Sequence, residues 1–230
     1  MILAWPYYRN LPATGETPPT KRALWRFSWP LILNTSSELG VVFIINLFLG
    51  QLVDPELALA AFGVVHGLVT FLFSPVRNLA QTAQTLTNGR RDAALLVEFN
   101  MHIVAFFSIL AIALFYTPLT SVVLDGIMGL KGELRDYCVP ALKIAFMIPM
   151  FWALSSLFRG MFSKARTTGT LAATGVLRLC AALLIGLITI FFGTANGAVV
   201  GLAAWIVSYV VEVGVLAWCL RAIRFDHVNA

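Results

Sequence analysis

Of the chain's 230 residues, 59% are hydrophobic and 12% charged, where a soluble domain averages about 25% charged. With a mean hydropathy of +0.85, a soluble enzyme, a nucleic-acid module and a disordered scaffold are all excluded. The net charge of +5 then suits an integral membrane protein that gathers Lys and Arg on its cytoplasmic loops, and about 20 residues per span leave room for six or seven helices.

Residues 1–28 read as a polar cytoplasmic tail. Pro6, Pro12, Pro18 and Pro19 with Gly15 and Glu16 leave no cleavable apolar region, so no signal peptide is expected. The first apolar run, Pro30 to Leu52, follows Lys21, Arg22 and Arg26, with Trp25 and Trp29 placed as interface anchors. Pro30 suits the first turn of a helix. After the turn Asp54-Pro55-Glu56 a second run covers Leu57 to Val76. Its helical pattern continues as a polar extension to about Asn88, where Asn88-Gly89-Arg90-Arg91-Asp92 stops it. The third run is Ala93 to Thr117. Pro118 to Leu130 is apolar but broken by Asp125, Gly126 and Gly129, and reads as an interfacial segment. Further runs extend from Leu134 to Phe162, Thr168 to Phe192 and Gly197 to Leu220. The expected architecture is an all-α membrane protein, a six-transmembrane-helix bundle over residues 29–222 with a short cytoplasmic tail at 223–230.

Loop charges orient that bundle. Arg9, Lys21, Arg22, Arg26, Arg77, Arg90, Arg91, Arg159, Lys164, Arg166, Arg221 and Arg224 fall on one side, against Lys131 and Arg135 on the other. The bias places both termini in the cytoplasm and makes two copies insert the same way up.

The remaining basic residues, Lys143 and Arg178, are expected near the bilayer midplane, as are Glu38 and His66, with Glu212 and His102 in the cytoplasmic half. Each central charge costs roughly 2.5–3.5 kcal/mol on insertion scales, so such groups should face a cavity or a partner. Polar stripes accompany them: His66, Thr70, Ser74, Arg77, Gln81 and Gln84 on the second helix, Thr167, Thr170, Thr174, Arg178, Ala182, Gly186 and Thr189 on one face of the fifth, and Asn34, Glu38 and Asn46 on the first. A water-accessible pathway is one reading. The plainer one pairs Lys143 and Arg178 with Glu38 and Glu212 inside the bundle and makes His66 a satisfied core histidine. Gly193, Gly197 and Gly201 follow a spacing that brings helices close. Cys138, Cys180 and Cys219 have no metal-like spacing and read as packing residues. No metal cluster, phosphate-cradling glycine loop or nucleophile-and-base pair is visible, so no enzyme chemistry and no cofactor are expected.

Phe71-Leu72-Phe73-Ser74-Pro75, followed thirteen residues after its proline by Asn88-Gly89-Arg90-Arg91-Asp92, resembles the progressive ankylosis family. There, a helix with proline at the same place ends at the same spacing in Asn-Ser-Lys-Arg-Asp. Pro30-Leu31 and Glu38-Leu39-Gly40 also resemble that family's first helix. The likeness covers Pro30 to about Met101 by motif, and the remainder by helix count and loop pattern. Arg77, Gln81 and Gln84 depart from it. The family belongs to the superfamily of multidrug and toxin extrusion (MATE/MOP-type) transporters and lipid-linked-precursor flippases. The resemblance implies twelve helices in two six-helix lobes, with substrate between them. This chain matches one lobe, which implies a partner, and a parallel homodimer satisfies the loop charges.

The first functional expectation is therefore a half-size secondary transporter in the plasma membrane. It would export an organic or phosphate-containing anion, with Lys143, Arg178, His66 and Asn34 binding the substrate and Glu38 and Glu212 in coupling or ion pairing. Citrate, nucleotide or pyrophosphate efflux is what the resemblance implies. The competing expectations are a cation or drug exporter using Glu38, a lipid-precursor flippase, and a non-transporting subunit of a larger membrane complex. The lipid bilayer is a partner in every case, and nucleic acid in none.

Overall fold

The computed structural model describes residues 20–192 and 196–220. Among these, every regular element is helical. Helix α1 spans Lys21–Leu49 and begins at Thr20, whose hydroxyl accepts the Ala23 amide at 3.3 Å. The capped start makes the basic lead-in of Lys21, Arg22 and Arg26 the first turns of the helix, and Pro30 is carried inside it. Arg9, Arg221 and Arg224, together with the rest of 1–19 and 221–230, lie outside the described residues.

Helix α2, Pro55–Phe73, runs into a 3-10 turn at Ser74–Asn78 that contains Pro75, and then into α3, Leu79–Leu86. Pro75 has no amide to donate, so the ladder tightens there and resumes beyond it. The polar extension is thus a short separate helix. Helix α4 is Arg90–Tyr116. The stretch read as interfacial forms one α-turn at Leu119–Ser121 and a π-helical turn at Val122–Ile127. Arg135, on the next helix, clamps it by bonds to Asp125 at 2.6 Å and to the Ser121 hydroxyl at 3.0 Å.

The fourth apolar run is not one continuous helix. It is α5, Gly132–Ala145, and α6, Ile148–Lys164, bent by 49° across Phe146 and Met147. Pro149, in the first turn of α6, cannot continue the hydrogen-bond ladder of α5. Helix α7 is Thr168–Phe192 and α8 is Gly197–Leu220. Five helical stretches are long and apolar enough to cross a membrane, and the bent α5–α6 pair makes a sixth. Over the described residues the chain is an all-helical, multi-pass membrane bundle.

Helix α8 is the hub. It packs against α7, α6, α2, α5 and α1, and half of its apolar window is buried, more than in the other spans. Around it Val41, Phe62, Phe73, Trp152, Trp205 and Tyr209 form the main core. Helices α1 and α7 form the most extensive pair. A side-chain carbon at Gly175 would lie 2.9 Å from Ser37 Oγ, and one at Gly186 would overlap the Phe48 ring. The middle of the α7 polar stripe follows that seam, with Thr174 and Arg178 buried beside Ala182 and Gly186, while Thr167 is exposed and Thr170 and Thr189 are half-buried. It is an interhelical contact, where the sequence pattern admitted an open pathway. Small residues explain this, since they let backbones approach and bring polar groups on facing helices within reach.

Candidate functional site

Four helices bring charged groups to one place. Arg159, the twelfth of 17 residues in α6, donates from Nε to Glu212 Oε1 and from Nη2 to Glu212 Oε2, both at 2.8 Å. Its Nη1 reaches Glu38 Oε2 on α1 at 3.2 Å. Arginine's planar fork suits this task, because one guanidinium offers five donors in fixed directions and serves two carboxylates at once.

Glu212 is fully buried on α8. It also accepts Ser155 Oγ at 2.8 Å and the Asn34 amide at 3.4 Å, and Arg178 Nη1 lies 3.4 Å from its Oε2. Asn34 is anchored by a second bond to the Leu171 carbonyl at 2.8 Å, tying α1 to α7. Glu38 accepts the Tyr209 hydroxyl at 2.8 Å, and Arg77 Nη2 stands 3.6 Å from its second oxygen. Spacing along the helices produces the convergence. Trp205, Ser208, Tyr209 and Glu212 recur on one face of α8, and Trp152, Ser155 and Arg159 on one face of α6.

Arg178 is the unusual member. Its side chain is 0% exposed, its guanidinium carbon lies 4.4 Å from the centre of the Tyr209 ring, and none of its three nitrogens makes a hydrogen bond among the described residues. Stacking on an aromatic face and an ion pair at 3.4 Å offset its charge. Its donors remain unmatched, and buried donors without acceptors are costly. Three guanidinium groups face two carboxylates here, an excess of one positive charge. Arg77 connects this interior to the surface. Its side chain is 51% exposed, and Ser74, Gln81 and Gln84 on the same face of the 3-10 turn and α3 are exposed beside it.

Asn34, Glu38, Arg178 and Glu212, singled out from sequence, therefore come together. Lys143 does not join them. It is exposed on α5, in a groove of about 360 Å³ shared with Tyr116, Thr120, Arg135 and Pro140, and its carbonyl accepts the Tyr116 hydroxyl at 2.7 Å. The bend between α5 and α6 points the two halves of that run differently, so depth along the sequence did not translate into proximity to Arg178. His66 also stands apart, half-buried, stacked on Phe62 at 5.5 Å and tilted against Trp205 at 4.6 Å. His102 bonds only the Glu98 carbonyl, one turn earlier on α4, at 2.9 Å.

Arg77 and Arg159, counted from sequence among the loop charges, belong to the cluster instead. Without them the loop bias is ten to two, which keeps its sign. Tyr209 and Ser155 were not singled out at all. Their one-turn spacing to Glu212 and Arg159 was the available signal.

No protein-family model, no curated protein and no solved structure matches this chain. The likeness to the progressive ankylosis family rests on the quoted residues alone.

Proposed function

We propose that the protein is a half-size secondary transporter of the plasma membrane, working as a parallel homodimer with both termini in the cytoplasm and exporting a small organic or phosphate-containing anion. The carrying observation is the pairing of a buried, unmatched guanidinium with a half-exposed one. Arg178 holds donors that make no hydrogen bond among the described residues, and Arg77 leads from its neighbour Glu38 to an open polar face. A carboxylate or phosphate brings the oxygen acceptors that Arg178 lacks, in geometry suited to a guanidinium fork. An inside-negative potential favours anion exit by about 2.3 kcal/mol per charge per 100 mV, so no coupling ion is demanded.

The exposed row of Ser74, Arg77, Gln81 and Gln84 supports the dimer. Polar groups on a membrane helix are costly against lipid and are covered by protein or water. Two copies with the same orientation can bring these rows face to face around a shared aqueous space.

A different observation favours a second reading, a non-transporting subunit of a larger complex. The middle of the α7 stripe is closed against α1 by tight contacts at Gly175 and Gly186, which is how a static bundle is built. Flux of labelled citrate, pyrophosphate and nucleotide into proteoliposomes separates the two. Transport that falls at least tenfold in Arg178→Gln and in Arg77→Gln supports the first reading. No flux in the wild type, or flux indifferent to both substitutions, overturns it.

A further inference from the structure

A second basic site lies away from the ionic cluster, where α1 and α7 begin. Leu24, Arg26, Phe27, Pro30, Arg166 and Gly169 line a cavity of about 720 Å³ there. Its walls divide by chemistry. Leu24, Phe27 and Pro30 offer an apolar side, and Arg26 and Arg166 bring two guanidinium groups, both on exposed residues. Among the described residues no carboxylate forms an ion pair with either one.

The local fold explains the placement. Helix α6 ends with the Arg166 amide bonded to the Ser163 carbonyl at 3.2 Å and the Thr167 amide to the Phe162 carbonyl at 3.1 Å. Arg166 takes the left-handed backbone conformation, with φ 55°, at the position where glycine usually closes such a turn. The chain then re-enters at once as α7, whose first amides have no acceptor within the helix and carry the positive end of its dipole. Gly169, in that first turn, is exposed on the cavity wall. On α1, Trp25 and Trp29 stack with ring centres 5.5 Å apart and are both exposed, the arrangement of an aromatic belt at a membrane interface.

We infer that this cavity binds the headgroup and upper chains of an anionic phospholipid. The phosphate would sit between Arg26 and Arg166 at the mouth of α7, with the glycerol and first methylenes along Leu24, Phe27 and Pro30. Charge complementarity, an apolar wall and interface depth coincide at this one place, as they do in basic interhelical pockets that hold acidic lipids.

The test uses the whole chain in phosphatidylcholine vesicles, with spin-labelled phosphatidylglycerol compared against spin-labelled phosphatidylcholine. The protein should restrict the anionic label preferentially. That preference should drop about fivefold for each arginine removed, in Arg26→Gln and in Arg166→Gly. Glycine fits the left-handed position, so the second variant retains the turn. Lys131→Gln, exposed on a different loop, should leave the preference unchanged. An undiminished preference in the double variant overturns the proposal. So does an equal drop in Lys131→Gln, which indicates general surface charge. Loss of the preference on adding inorganic phosphate assigns the site to a free anion, and a preference seen only after deletion of residues 1–19 assigns the cavity to the chain's own N-terminal segment. Either result overturns lipid binding.

Discussion

Arg159 and Glu212 form a two-pronged ion pair between α6 and α8, each prong 2.8 Å long. Removing Arg159 takes two charge-assisted hydrogen bonds from the buried Glu212 and leaves it the longer pair with Arg178 at 3.4 Å, a loss of about 3–5 kcal/mol. Arg159→Met should therefore lower unfolding stability in detergent by about that amount. Combining it with Glu212→Gln should cost less than the sum of the singles, with a coupling of about 1–3 kcal/mol. A denaturant-unfolding double-mutant cycle measures it, and strictly additive losses would deny the pair an energetic role.

Close packing of α3 on α6 depends on Gly160. A side-chain carbon there would lie 2.6 Å from Ala83 Cβ and closer still to the Ala80 carbonyl oxygen. Gly160→Ala should destabilise the bundle by about 1–3 kcal/mol through overpacking. Gly67 on α2 has open space at the same position. Gly67→Ala should thus be neutral, or stabilising by up to about 1 kcal/mol through helix propensity. Thermal unfolding of the two variants side by side checks the contrast.

The loop charges predict a sidedness that cysteine labelling can read. In intact cells and a cysteine-free background, Lys131→Cys should react with a membrane-impermeant maleimide, and Asn88→Cys should react only after permeabilisation. Cys138 is buried with its Sγ 3.8 Å from the Ala61 carbonyl, so its replacement should be alanine or serine. The reverse labelling pattern would invert the topology.

If the exposed row on the 3-10 turn and α3 meets its own copy across a two-fold axis, one residue should cross-link to itself. Gln84→Cys should give a disulfide-linked dimer on mild oxidation in membranes. Phe191→Cys, exposed near the far end of α7, should not. Dimers formed equally by both variants would point to random collision.

Much of the bundle was legible because a membrane span announces itself by length alone. The third, fifth and sixth apolar runs match α4, α7 and α8 to within a few residues. Glu38, Arg178 and Glu212 were legible for a related reason, since a charge in an apolar run must find a partner. The angle between helices was not legible. Pro140 and Pro149 both lie in the fourth run, and nothing in its apolar pattern says that the second of them divides it. That one bend carries Lys143 away from the cluster and leaves Arg159 inside it. Arg159 was also disguised by its company, standing five residues before Lys164 in what reads as a basic loop. Hydropathy assigns such a residue to the interface, although a long side chain on a helix can turn inward toward a carboxylate.

The bond from Arg159 to Glu38 also bears on how the chain is made. Its two ends are 121 residues apart. At translation rates of about 5–20 residues per second, Glu38 enters the membrane on the order of ten seconds before its main partner exists. Glu212, a further 53 residues on, arrives later still. Arg77, also paired with Glu38 at 3.6 Å, emerges well before either and can shelter that charge in the meantime. The nascent chain then adds a second guanidinium to the first as α6 arrives, so commitment of the first helix to its final seat is a late event in biogenesis, set by α6 rather than by its own insertion.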